Sequence, residues 1–358
     1  MTIALGIETS CDETAVALVG SDRRILAQSI LSQIAEHRPY GGVVPEIAAR
    51  NHLIHLRPLL EKTLQQAQLS LDQIDVIAAT AGPGLIGGLI VGLTMAKSIA
   101  LAKSKPLIAL NHLEGHALTA RLTDAVEFPY ILLLVSGGHC QLLLVKAVGD
   151  YQCLGTTLDD ALGEAFDKVA KMLGLGFPGG PAVEAAAKQS TLRAQQGGKI
   201  QSFPLPRPML GRPDPNFSFS GLKTAVYQQA SSLGPVGSQL PLAAVQDLAA
   251  SFQAAAIDCI IDRVDCALKR IKQQKITLKG LVAAGGVASN QFLRQKLQAL
   301  CGQYHLPCII PPPALCTDNA AMIAWAGLEW FKKGRQDGLD TLPRPRWPLD
   351  PNFTVSYS

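Results

Sequence analysis

Ile3-Ala4-Leu5-Gly6-Ile7-Glu8-Thr9-Ser10-Cys11-Asp12-Glu13-Thr14-Ala15-Val16-Ala17-Leu18-Val19 opens the chain, and this stretch decides the fold class. The apolar runs Ile3–Glu8 and Thr14–Val19 read as strands on either side of a polar turn. A third strand, Ile25–Ile30, follows the turn signal Gly20-Ser21-Asp22. Helices then enter: a long amphipathic one over Pro45–Gln66, with Pro45 suited to its first turn, and one over Gly88–Lys103 with small residues along one side. Between and after them come apolar strands at Asp75–Thr80 and Pro106–Leu110. The second strand feeds a helix that starts near Asn111.

The second half follows the same logic without repeating the sequence. Tyr130–Val135 and Cys140–Lys146 predict an apolar hairpin around Ser136-Gly137-Gly138-His139. Helices are expected at Asp159–Leu173, Pro181–Ala187 and Ala243–Lys272, from about Ser289 and from about Asp318, with strands at Leu278–Ala284 and Cys308–Ile310. Phe203–Pro215 carries five prolines and is expected as a loop over one face. Strands alternating with helices in both halves predict an α/β protein of two units facing each other across a cleft.

Composition is consistent with that reading. Over 358 residues, 48% hydrophobic and 17% charged side chains exclude a disordered chain. A net charge of +4 permits nucleic-acid binding without arguing for it. The eight cysteines form no C-x-x-C pair and scatter through apolar segments, as reduced core thiols do. The N-terminal residues lack a basic region followed by an apolar stretch, and the uncharged runs near Gly84–Ala96 and Tyr130–Val145 are short and broken by glycine. A soluble, cytoplasmic protein with no membrane span is expected.

Chemistry concentrates in Asn111-His112-Leu113-Glu114-Gly115-His116. His112 and His116 stand four apart, so on a helix they share one face, and two imidazoles so placed can hold a divalent metal. Zinc proteases place glutamate beside one histidine, as H-E-x-x-H or H-x-x-E-H. Glu114 sits in the middle and fits neither form. Asp318, at the start of a helix, could be a third ligand or a helix N-cap. His52 and His55, three apart, form a rival pair for which a surface or partly packed role is expected; His37 and His305 are expected to be structural.

Turns after strands form a second group: Thr9–Thr14, Ala81-Gly82-Pro83-Gly84, Ser136–His139 and Ala284-Gly285-Gly286-Val287. Such turns let a ligand approach the backbone and cradle an anion. Neither G-x-x-x-x-G-K-[ST] nor a strand-to-helix G-x-G-x-x-G occurs, which removes the P-loop and dinucleotide folds.

Eight segments then carry a specific resemblance. They are Gly6–Thr14, Asn111–His116, Leu134-Val135-Ser136-Gly137-Gly138-His139, Gly163-Glu164-Ala165-Phe166-Asp167-Lys168, Pro178-Gly179-Gly180-Pro181, Phe219-Ser220-Gly221-Leu222-Lys223, Gly285-Gly286-Val287-Ala288-Ser289-Asn290 and Cys316-Thr317-Asp318-Asn319-Ala320. Together, in order and over nearly the whole chain, they resemble the TsaD family of tRNA threonylcarbamoyladenosine transferases, once labelled O-sialoglycoprotein endopeptidases. The resemblance implies an actin/sugar-kinase/Hsp70-like ATPase fold with two facing α/β subdomains and a central nucleotide cleft. Residues 1–124 would form one subdomain, completed by a C-terminal helix at about 318–345, and residues 125–317 the other, with a helical insertion.

The resemblance also implies roles. His112, His116 and Asp318 would hold one divalent metal, Fe2+ or Zn2+. Val135, Ser136, Gly137, Gly138 and His139 would line L-threonylcarbamoyl-adenylate, Asp167, Gly180 and Glu184 its ribose, and Gly286 and Asn290 its adenine. Asp12 and Glu13, in the first turn, would supply the general base or position substrate. The implied reaction transfers threonylcarbamoyl to N6 of adenosine 37 in tRNAs reading codons that begin with A and releases AMP. Partners would be tRNA and TsaB-like and TsaE-like proteins; a homodimer could form. Lys97, Lys103, Lys105, Arg207, Arg212 and Lys223 are candidate phosphate contacts. The competing readings are an ATP-dependent small-molecule kinase of the same superfamily, a metallopeptidase, and a non-catalytic nucleotide-binding scaffold.

Overall fold

A computed structural model describes residues 1–234 and 240–354. The chain divides into two compact units. One comprises Met1–Glu127, Val145–Gln152 and Pro311–Thr354; the other includes Phe128–Leu144 and Cys153–Ile310.

In the first unit, β1 (Ile3–Glu8), β2 (Glu13–Gly20) and β3 (Ile25–Ser32) form an antiparallel meander. The short helix α1 (Ile34–His37) leads to the long α2 (Pro45–Ala67). Then β4 (Val76–Gly82), α3 (Ile86–Lys103), β5 (Leu107–Asn111) and α4 (His112–Thr123) follow. The five strands order as β3-β2-β1-β4-β5, with β1, β4 and β5 mutually parallel.

Every residue of β1 is buried because both faces of the sheet are covered. Alternate side chains point to opposite faces. Leu5, Ile7, Val16, Leu18 and Ile77 share one core with Leu56 and Leu60 of α2 and Leu93 and Ala96 of α3. Each such large apolar side chain contributes about 1.5–3 kcal/mol on burial.

In the second unit, β6 (Tyr130–Val135), β7 (Cys140–Ala147), β8 (Asp150–Thr156), β9 (Leu281–Ala284) and β10 (Cys308–Ile309) order as β10-β9-β6-β7-β8. The turn between β7 and β8, residues 145–152, clusters with the first unit. Helices α5 (Leu162–Met172), α6 (Gly179–Gln195), α7 (Ser220–Leu233), α8 (Leu242–Gln273) and α9 (Gln291–Gln303) surround one another and the sheet. Strands β9 and β10 are parallel to β6. The chain then re-enters the first unit through α10 (Pro313–Cys316) and α11 (Ala320–Lys332). Helix α11 covers the second face of β1; there Gly6 leaves no room for a side chain, since a Cβ would stand 2.7 Å from Ala324 N.

Phe203–Pro215 contains no helix or strand, as its prolines predict. Four labelled elements were not expected: the one-turn helices α1 and α10, and β8 and α7. In β8, apolar and polar residues alternate over only a few positions. In α7, the buried Leu222, Val226 and Ala230 are a turn apart among polar neighbours. Helix α6 also runs past Ala187 to Gln195, where polar residues face solvent along most of the extension. Helices α3 and α8 are long and apolar enough to cross a membrane by length and composition. Within the fold, α3 lays Leu89, Leu93 and Ala96 into the core, and α8 buries most of its apolar length.

Candidate functional site

Strand β5 passes directly into α4. Asn111 ends the strand and caps the helix, its side-chain oxygen accepting from Leu113 N at 2.9 Å. This places His112 in the first helical position at the carboxyl end of a parallel strand, with His116 one turn on. Asp318 lies in the loop before α11. The N-cap of α11 is Asn319, which accepts from Met322 N, so Asp318 is not spent on capping. Its Oδ1 stands 3.0 Å from His116 Nε2 and 3.4 Å from His112 Nε2. One ligand atom from each of His112, His116 and Asp318 falls within 4.8 Å of the others.

The donor chemistry fits a divalent cation. Two imidazoles and a carboxylate converge, and among the described residues Asp318 has no lysine or arginine partner. Beneath them Glu8, at the end of β1, is fully buried. It accepts from Ser10 N at 2.6 Å and from Thr80 Oγ1 at 2.5 Å, and its Oε2 lies 2.9 Å from His112 Nδ1. A carboxylate can only accept, so Nδ1 carries a proton; with a cation bound, Nε2 would turn its lone pair to it in place of Asp318.

Charge interactions outweigh burial here. Burial opposes ionisation of Glu8 and Asp318, yet His112 holds Glu8 below the usual carboxylate range, and His112 and His116 hold Asp318 well below it. Burial also opposes a charged His112, but Asp318 and Glu8 raise its pKa well above the ordinary value. Glu13 has no such cation. Burial, then the charges of Asp318, Asp12 and Glu8 and a hydrogen bond with Asp12, push it up to about 10. Glu13 is therefore biased towards its protonated form beside the cluster.

Glu114 lies on α4 but serves elsewhere. Its carboxylate accepts from Tyr151 OH at 2.7 Å, Trp330 Nε1 at 2.9 Å and Gly149 N at 3.1 Å. Burial raises its pKa against those bonds. It is a scaffold anchor inside the first unit, not a base facing the histidines.

In the second unit, the residues of the adenylate reading lie along a closed circuit of contacts. The turn after β6 is tied by Ser136 N donating to His139 O at 2.8 Å, and Gly163 N of α5 donates to Ser136 O at 3.1 Å. Asp167, on the same helix, accepts from Gly179 N at 2.7 Å at the start of α6. Glu184 of α6 accepts from Gln291 N at 2.6 Å at the start of α9. Asn290 caps α9 through Leu293 N and donates to Gln253 at 2.8 Å. The circuit closes where Gly285, at φ +92°, packs against the Val135 backbone so closely that no side chain fits. Gly180 is open, with nothing within 4 Å of where a Cβ would stand, and Gly286 begins the short turn after β9. Among the described residues, the second N–H of the Asn290 amide has no acceptor.

Two expectations need correction. His52 is fully buried, not at or near the surface; it bonds Thr14 and the Cys11 carbonyl, while His55 is half-buried. Most of the proposed phosphate contacts are engaged within the protein: Lys97 with Thr341 O, Lys103 and Lys105 with Asp72, Arg207 with Asp258, and Lys223 with Asp160. Sequence reasoning also passed over Glu8, Ser10 and Thr80. The available signal was a lone carboxylate ending an otherwise apolar strand.

Comparison with known proteins follows the same line. A family model described as TsaD, tRNA N6-adenosine threonylcarbamoyltransferase, matches residues 24–325. The protein of that name from Sphingopyxis alaskensis is 57% identical over 352 residues, which is 98% of this chain and 96% of that one. Its namesake from Zymomonas mobilis is 55% identical over 353 residues, 98% of this chain and 93% of that one. Among solved structures, T. kodakarensis HypF aligns with a TM-score of 0.60 at 12% identity, covering 93% of this chain and 48% of that one. Component A of the Acidaminococcus fermentans (R)-2-hydroxyglutaryl-CoA dehydratase aligns at 0.52 and 15%, covering 94% and 100%. At these identities the structural likeness speaks for the fold alone.

Proposed function

This chain belongs to the TsaD family, the tRNA N6-adenosine threonylcarbamoyltransferases, and on that premise we propose how its residues carry out the transfer. The fold is the actin/sugar-kinase/Hsp70-like one, and the activity is acyl-type transfer to a tRNA adenosine. The observation that carries the reading is the convergence of His112, His116 and Asp318 beside the Asp12–Glu13 pair.

In this reading N6 of adenosine 37 attacks the carbamoyl carbon of L-threonylcarbamoyl-adenylate, and AMP leaves. An adenine amine is a weak nucleophile, so its proton must be taken as the bond forms. Asp12 or Glu13 would take it. His112, His116 and Asp318 would hold Fe2+ or Zn2+. That ion would supply positive charge for the threonyl carboxylate and the carbonyl oxygen. Glu8, 2.9 Å from His112 Nδ1, would orient the ring so that Nε2 could serve as a ligand. In the second unit, Val135 and Ser136–His139 would line the adenylate, Asp167, Gly180 and Glu184 its ribose, and Gly286 and Asn290 its base.

The target base lies in a loop and can be splayed into a pocket. Arg344 and Arg346 are the proposed phosphate contacts. Both are exposed and, among the described residues, neither has an acidic partner. Their strap is tied beside the centre: Arg344 N donates to Ala81 O at 2.6 Å, and Asn111 Nδ2 donates to Trp347 O at 2.9 Å. TsaB-like and TsaE-like partners, a homodimer and a cytoplasmic location complete the proposal. The exposed Leu53, Ile54, Ile86 and Ile90 on α2 and α3 would suit such an interface.

A kinase would leave the histidine pair and Asp318 without purpose, and a peptidase would lack its base, since Glu114 is bound to Tyr151 and Trp330. The test supplies the protein and its partners with threonine, bicarbonate, ATP, an adenylate-forming enzyme and unmodified tRNA, and reads modified adenosine by mass spectrometry. Modified adenosine from the wild type and none from His112→Ala/His116→Ala is expected. No product from the wild type, or full product from the double variant, overturns the proposal.

A further inference from the structure

The turn Ser10–Asp12 is held by its carbonyls. Leu85 N donates to Ser10 O at 2.7 Å, His52 Nε2 lies 3.0 Å from Cys11 O, and Gln33 N donates to Asp12 O at 3.1 Å. Two of these partners are backbone amides of neighbouring elements. The third is a side chain brought in from α2 and buried to 0% exposure. A carbonyl only accepts, so His52 Nε2 bears the proton and Nδ1 is left as acceptor. Thr14 Oγ1, at 2.8 Å, and Gln33 Nε2, at 3.4 Å, both donate to His52 Nδ1. Gln33 is itself set by Asn51, whose Nδ2 donates to Gln33 Oε1 at 3.2 Å. Every polar atom around the imidazole thus selects one neutral tautomer, and burial lowers the His52 pKa in the same sense.

The consequence lies on the far side of the turn. A trans peptide points its N–H opposite to its C=O. Holding Ser10 O and Cys11 O towards α3 and α2 therefore aims the N–H groups of Cys11 and Asp12 away from those helices. Among the described residues neither N–H has an acceptor. The same peptide planes set where the Asp12 and Glu13 side chains leave the backbone.

We propose that His52 is a positioning residue for the transfer: it fixes the Cys11–Asp12 peptide so that the Asp12–Glu13 carboxylates and two backbone N–H donors face the reacting group. This rests on the function proposed above. His52 touches no substrate and lies outside the His112–His116–Asp318 cluster. Its loss leaves metal and tRNA binding in place and removes alignment, a kcat effect.

The experiment compares His52→Leu, His52→Gln and Thr14→Val with wild type in the reconstituted assay, measuring kcat, KM for tRNA, bound metal and Tm. Glutamine can present an N–H to Cys11 O; leucine cannot. Thr14→Val keeps the ring but removes the proton donor that orients it. Expected are a kcat loss of about tenfold or more in His52→Leu, a KM within about twofold, unchanged metal content, and substantial rescue in His52→Gln. Thr14→Val should lose kcat without losing fold. Equal kcat in wild type and His52→Leu overturns the inference. So does an equal loss in His52→Gln and His52→Leu, or a loss in His52→Leu that follows Tm or metal content while Thr14→Val retains full kcat. An inactive wild type would instead strike the functional reading itself.

Discussion

Glu8→Gln tests the electrostatics of the centre with a nearly isosteric change. Three donors converge on the carboxylate: Ser10 N on Oε1, and Thr80 Oγ1 and His112 Nδ1 on Oε2. An amide cannot satisfy all three. If its NH2 group replaces Oε1, it opposes the Ser10 N–H, and a buried donor is left unmet at about 1–3 kcal/mol. If it replaces Oε2, the Thr80 hydroxyl can turn to accept, but His112 Nδ1 must become an acceptor. The proton then moves to Nε2, the atom 3.4 Å from Asp318 Oδ1 that should ligate. Either outcome weakens the centre, and loss of such a carboxylate–histidine contact typically costs 10–100-fold in metal affinity, or about 1.4–2.8 kcal/mol. The assay is competition with a chromophoric chelator, together with circular dichroism to confirm the fold. A folded Glu8→Gln protein with wild-type metal affinity would refute the assignment of Nδ1 as the proton carrier.

Other outcomes follow from the same structure. Glu114→Gln faces Tyr151, Trp330 and Gly149 donors with an amide, so it should lose about 1–3 kcal/mol of stability in denaturant melts while keeping kcat and metal content; a loss of transfer at unchanged stability would return Glu114 to the site. Arg344→Ala and Arg346→Ala should each raise KM for tRNA and reduce the log–log salt slope by about 1, measured by filter binding at several ionic strengths; an unchanged slope removes the strap from the RNA interface. Burial opposes the ionisation of Asp159, but bonds from Ser218, Phe219 N and Ser220 hold its pKa below the usual range. Its stabilisation is thus present above the unfolded value near 3.9 and is lost as pH falls through the folded one. Asp159→Asn should lower Tm at pH 7, and the gap should narrow as pH falls below about 3.9; a constant gap between the two curves would contradict this.

Most strands and the α/β alternation were legible because burial on both faces demands near-continuous apolar runs, as in Ile3–Glu8 and Tyr130–Val135. The metal-type spacing of His112 and His116 was legible too, because i,i+4 proximity is a property of one helix. What β8 lacked was an alternation longer than a few residues, and α7 carried its three buried residues among polar neighbours, so packing decided both. Asp318 illustrates the remaining divide. Its place before α11 left both a cap and a ligand open; in the fold Asn319 takes the cap, and Nε2 atoms from α4 approach Asp318.

By itself, the sequence determined the local facts: which segments are apolar, where turns fall, and which side chains share a helix face. Tertiary structure decided everything that depends on a partner distant in the chain. Glu8 becomes the holder of His112 across 104 positions, His52 the clasp of Cys11 across 41, and Glu114 an anchor for Trp330 across 216. The physical reason is that a hydrogen bond has a direction and a range of about 3 Å. Whether a buried polar group is a ligand, a clasp or an anchor is fixed only when folding brings its partner within that range.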